Sequence, residues 1–256
     1  MQETPEYYFT KEIKMKKVIA LLLAVVMVFA LAACGKAAQK DIFAKGEGVL
    51  THEQYLAAEE GSRVTVEAFV QGHQSWWDNK ITVYAEDKDG GYFFYDMACS
   101  EADAAKLVPG AKIKVTGDKA VWAGEVEVMD ATFEFEEGSY VAPALDIGKM
   151  LGTAELESHM NQFICVKDAK IADKGDGAAF FYNWDNSGED GNCDLYFDVE
   201  VNGGTYTFVV RRYLTAPGSE VYEAVKNLQV GQTVDIEGFL YWYEGPQPHI
   251  SSITVK

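Results

Sequence analysis

Apolar and polar residues alternate along most of the chain beyond residue 60, and that period of two is the mark of half-buried β-strands. Val64, Val66 and Ala68 place one face of Arg63–Val70 toward a core. Lys80–Ala85 and Gly91–Met97 flank Asp87-Lys88-Asp89-Gly90, whose Asp-Gly end supplies hairpin chemistry. Ser100, followed three positions later by Asp103, predicts the start of a short helix reaching Val108, where Pro109-Gly110 stops it. Two more alternating runs follow. The second half has the same order: Phe163–Ile171, Ala178–Tyr182, Leu195–Val201 and Thr205–Arg211 read as strands, with Asn202-Gly203-Gly204 as a tight turn. Ser219 then caps a helix over Glu220–Asn227, and Gly231 opens a last pair of strands.

This parallel is a duplication. Leu107-Val108-Pro109-Gly110 through Gly117 recurs as Leu228-Gln229-Val230-Gly231 through Gly238, with leucine, both glycines and the alternating apolar pair at one constant offset. Each copy runs into an aromatic turn, Val121-Trp122-Ala123-Gly124 and Trp242-Tyr243-Glu244-Gly245, and then a closing strand. So long a period indicates duplicated domains and not a solenoid. Five strands with a helix between the third and fourth is the layout of the OB-fold. The Gly-x-x-Val/Ile-x-Val/Ile-x-Gly element resembles the fourth strand of OB domains in bacterial exported proteins. The expected fold is therefore mainly β: two tandem five-stranded OB-fold-like barrels at 46–137 and 149–256, joined by a connector at 138–148.

The resemblance also implies where a ligand would sit, since OB domains meet their ligands on strands 2 and 3 and on the loops joining strands 1–2 and 4–5. In the first barrel those positions hold Trp76, Trp77, Tyr92, Phe94 and Trp122. In the second they hold Trp184, Tyr241, Trp242 and Tyr243. Aromatic rings stack on bases and on sugars, but alternate strand aromatics also fill small barrels. The turn tryptophans Trp76, Trp77, Trp184 and Trp242 are the hardest to assign to a core.

The N-terminal segment has a different pattern. Lys16 and Lys17 precede the apolar run Val18–Phe29, and Leu31-Ala32-Ala33-Cys34-Gly35 follows. This resembles a bacterial lipoprotein signal: a basic start, an apolar middle and small residues before one cysteine. The run is shorter than the about 20 residues a helix needs to cross a bilayer. The resemblance implies cleavage of residues 1–33, lipid on the Cys34 sulfur, a tether over 34–45, and a protein held at the cell membrane facing outside the cytoplasm. Glu3, Glu6 and Glu12 are foreign to a signal's basic start, so Met15 is the expected true start.

Composition narrows the function classes. The net charge is −18, which sets an average field against phosphate ligands and argues against nucleic acid as a partner. No nucleophile elbow, zinc helix or phosphate loop occurs, and His52, His73, His159 and His249 lie in separate elements, read as surface or turn residues. No enzyme activity, cofactor or metal is expected. The acidic run Asp185–Asp194 is rich in oxygen ligands, yet its glycine and glutamate spacing departs from an EF-hand, leaving a solvated turn. Cys99 and Cys165 read as small core residues, and an exported chain permits a Cys165–Cys193 bridge. These observations favour a lipoprotein that binds or scaffolds a protein, glycan or small ligand without catalysis. The alternatives are an oligonucleotide-binding OB protein and an accessory domain of an extracellular enzyme system.

Overall fold

Alternation and turn chemistry build two β-barrels. A computed structural model of the protein describes residues 41–256; the signal, the Cys34 lipid site and the first part of the tether lie outside the described residues. Within them, no helix is long and apolar enough to cross a membrane.

The first barrel consists of β1 (Arg63–His73), β2 (Lys80–Glu86), β3 (Gly91–Ala98), β4 (Ala111–Trp122) and β5 (Glu125–Ser139), closed in the order β1-β2-β3-β5-β4. β1 pairs with β4 through its first half and with β2 through its second, and a bulge at Gln71 lets one strand serve both. The parallel β3–β5 pairing closes the ring. Asp87 Oδ1 accepts from the Asp89 and Gly90 amides and so fixes the β2–β3 turn read from the sequence. A helix not read from the sequence, α1 (His52–Ala57), starts at a full capping box between Thr51 and Gln54 and buries Tyr55 in the barrel core. α2 (Glu101–Ala104) starts at Ser100 as expected but is a single turn, with Leu107 buried beyond it.

The segment before α1 lies against the barrel. Phe43 meets Phe69 and Tyr140 edge-on at 5.4 and 5.0 Å, and Lys45 Nζ donates to Asp87 Oδ2 at 2.6 Å.

The second barrel consists of β7 (Phe163–Ile171), β9 (Leu195–Val201), β10 (Gly204–Val210), β11 (Thr233–Phe239) and β12 (His249–Val255), with a short α3 (Glu220–Lys226) between β10 and β11. Pairing of β7 with β9 closes it. The sequence had counted Ala178–Tyr182 among the strands of the repeated plan. It is instead an added strand, β8 (Phe180–Tyr182), in the β7–β9 connection, hydrogen-bonded to the outside of β9. A two-residue β6 (Leu145–Asp146) pairs in parallel with β7, and a 3₁₀ turn spans Ala154–His159.

The duplicated motif has a structural cause. Gly110 and Gly231 both take φ near +90° and both donate their amide to the first strand of their barrel, at Val70 O and Ile171 O. Gly117 and Gly238 both lie at bulges where the neighbouring strand comes too close for a side chain. A Cβ would stand 2.6 Å from Met129 O at Gly117 and 2.3 Å from His249 O at Gly238. Cys165 and Cys193 are buried and free, so the bridge that export permits does not form.

Candidate functional site

Side-chain parity decides which aromatics can meet a ligand. On β2 and β3, Ile81, Val83, Ala85, Tyr92 and Phe94 point into the first barrel and are buried. Tyr92 and Phe94 are therefore core residues, against the sequence expectation; successive strand residues alternate faces, so the outward set is Tyr84, Glu86, Phe93 and Tyr95.

Most of that outward set is covered by the second barrel. Tyr84 stacks on Phe239 at 4.3 Å and its hydroxyl meets His249 Nδ1 at 2.7 Å. Gln74 Nε2 donates to the same hydroxyl. Glu86 accepts from the Phe163 amide and from Gln162 Nε2. Phe93 packs against Tyr241, which in turn stacks on His249 at 4.2 Å. Tyr241 is thus an interface residue. His249 and His52 are buried, where the sequence reading had them at surfaces or turns.

Buried acids accompany this contact. Glu125 is fully buried and accepts from the Trp242 amide. Burial pushes its carboxyl up to about 8, and pushes Glu86 and Glu127 up to about 7. Burial likewise holds His249 well below the usual histidine value, with the Arg211 charge adding to it. No motif announced these groups; they follow from which strand face the second barrel covers.

The turn aromatics divide. Trp76 lies half-buried against the first core and donates Nε1–H to Cys99 O at 2.8 Å, a structural role. Trp77 is 80% exposed beside a two-residue turn in which Asp78 and Asn79 both take positive φ. Trp122 is 61% exposed at the β4–β5 turn and Trp184 is 74% exposed in the β8–β9 connection. Two of the acids near Trp184 are engaged: Asp190 pairs with Lys226, and Asp194 accepts from Arg211 and from the Arg212 amide.

The two repeated aromatic turns meet. Glu244 N donates to Ala123 O at 2.7 Å, and Gly124 is held so close to the Trp242 ring that a Cβ there would lie 2.9 Å from Cδ1. Beside this junction the second barrel has an open cleft of about 540 Å³ between the 3₁₀ turn, the start of β10 and the β11–β12 loop. Trp242, Tyr243 and Tyr206 line it together with Thr205, Thr207, Glu157, Glu244 and Gln247. Trp242 is half-buried and Tyr243 exposed. The place of Tyr206 depends on Gly152 and Gly204, where a Cβ would lie 2.5 and 2.4 Å from its hydroxyl oxygen. The cleft occupies strand 3 and the 4–5 loop of its barrel, which is OB ligand territory. Of the nine aromatics expected at a ligand, the structure gathers Trp242 and Tyr243 here, leaves Trp122 on the neighbouring turn outside the lining, and disperses Trp77 and Trp184.

No protein-family model matches this chain, and no curated protein matches it. Solved structures that resemble it include the p204 HINb domain, at 12% identity and a TM-score of 0.34 over 78% of this chain and 100% of that one. Another is the Ifi202 HINa domain in complex with 20bp dsDNA, at 12% identity and a TM-score of 0.33 over 76% of this chain and 98% of that one. A third is a deletion mutant of the single-stranded DNA binding protein from Thermus aquaticus, at 12% identity and a TM-score of 0.26 over 77% and 95%. Proteins solved with DNA or named for binding it thus stand among the matches, and the expectation that nucleic acid is disfavoured as a partner is withdrawn. It rested on charge summed over the chain, which does not describe any one loop cluster.

Proposed function

We propose that this chain is a membrane-tethered, non-enzymatic binding protein that takes its ligand at the joined aromatic turns and the adjoining cleft of the second barrel. One observation carries the reading. The strand 2–3 face of the first barrel is closed by protein, whereas the strand 3 and 4–5 loop region of the second barrel is an open cleft walled by Trp242. Its size and its mixture of rings and polar groups are those of a small-molecule or glycan site. The tether rests on the sequence: cleavage before Cys34 leaves a lipid-modified cysteine at the mature start, with the barrels outside the cytoplasm. One acyl chain holds a protein only marginally, so the anchor requires at least two.

A second reading, an oligonucleotide-binding OB protein, is favoured by Trp77, Trp122 and Trp184, three indoles presented to solvent on turns. Each base stacked on such a ring contributes about 1–3 kcal/mol. Fluorescence titration with single-stranded oligonucleotides and with oligosaccharides at rising salt separates the two. Affinity that falls steeply with salt supports the nucleic-acid reading; salt-independent quenching that is lost in Trp242→Ala supports the cleft. The anchor is tested by metabolic labelling with an alkyne fatty acid. The label should be present in the native chain and absent in Cys34→Ser, and an unlabelled native chain would remove the anchor.

A further inference from the structure

The lining of the cleft restricts what it can hold. Among the described residues, no lysine, arginine or histidine lines it. An anion would find no counter-charge there, and removing a charge from water without a partner is costly. Its side-chain polar groups are instead rich in acceptors: the carboxylates of Glu157 and Glu244 only accept, and the hydroxyls of Thr205, Thr207 and Tyr206 accept as well as donate. Thr207 already donates to Asp198 Oδ1 at 2.7 Å, which leaves its oxygen free to accept from a ligand. The matching ligand carries no negative charge, offers several hydroxyl donors, and has an apolar face for the Trp242 indole.

Resting on the reading of this cleft as the ligand site, we propose that it takes a pyranose ring of an uncharged glycan. The C–H face of the ring packs on Trp242, and its hydroxyls donate to Glu157, Glu244 and the threonines. The ring wall is pre-formed. The Trp242 amide is tied to Glu125 Oε2 at 2.8 Å, its backbone pairs with Pro246, and its indole rests against Gly124. A ligand therefore meets an already ordered platform, which limits the ordering cost of binding.

The test is calorimetric titration of the full chain with neutral tetrasaccharides of glucose and of N-acetylglucosamine, with an acidic uronic-acid tetrasaccharide, and with a single-stranded tetranucleotide. At least one neutral tetrasaccharide should bind, about tenfold or more weaker in Trp242→Ala and unaffected in Trp77→Ala. Because Trp242 also supports its loop, Glu157→Gln and Thr205→Val provide exposed alternatives that leave the fold untouched; either should weaken neutral sugar binding severalfold. If the acidic sugar or the oligonucleotide binds in a Trp242-dependent way while the neutral sugars do not, the cleft remains the site and the sugar proposal is overturned. If no probe responds to Trp242→Ala, the cleft itself is not the site.

Discussion

At the scale of single residues, parity and close approach decide roles that composition leaves open. Trp76 and Trp77 are adjacent in sequence, yet one donates a buried hydrogen bond and the other stands in solvent. Trp76→Ala should cost about 3 kcal/mol in urea unfolding, and Trp77→Ala should stay within about 0.5 kcal/mol. Gly238→Ala is expected to lower stability by about 1–3 kcal/mol, because the added methyl meets the backbone oxygen of His249 and not a movable side chain. The same unfolding experiment measures it, and an unchanged midpoint would mean that the bulge gives way. The repeated glycines were legible in the sequence because their demand is local. Tyr92 and Phe94 were not, since moving one residue along a strand exchanges the buried and exposed sets, and aromatic residues occupy both faces of β3.

At the scale of elements, the order of strands and the two capping serines, Ser100 and Ser219, follow directly from the pattern of the chain. α1 was missed although Thr51 and Gln54 spell its capping box, because six residues give too little helical periodicity to stand out beside long strands. β8 was misplaced for a different reason: an added edge strand and a barrel strand alternate alike, and only pairing tells them apart. The covered face of β2 and β3 is the larger omission. It arises from contacts between distant parts of the chain, such as Tyr84 with Phe239, which no local pattern encodes. Phe239→Ala should cost about 3–5 kcal/mol and speed proteolysis in the short connection at 140–144. Unchanged cleavage there would show that the barrels do not depend on this ring.

At the scale of the molecule, the barrel contact carries its own pH dependence. Glu86, Glu125 and Glu127 have carboxyls raised by burial, so their protonated forms favour the folded state, and that stability is lost as pH rises through about 7 to 8. His52 and His249 are lowered by burial, so they oppose folding once the pH falls below the ordinary histidine range. Thermal stability should decline between pH 6 and pH 8.5, with that decline shallower in Glu125→Gln. A flat profile would mean that these acids gain water or partners in solution. The account as a whole turns on the second barrel's cleft being where a ligand is met. Fluorine NMR of protein labelled with 5-fluorotryptophan reads this directly, because the chain has 5 tryptophans and they occupy distinct settings. Titration with neutral oligosaccharides should move the Trp242 resonance first and most, with Trp76 still. Movement confined to Trp77 or Trp184, with Trp242 unmoved by sugar and oligonucleotide alike, would contradict it.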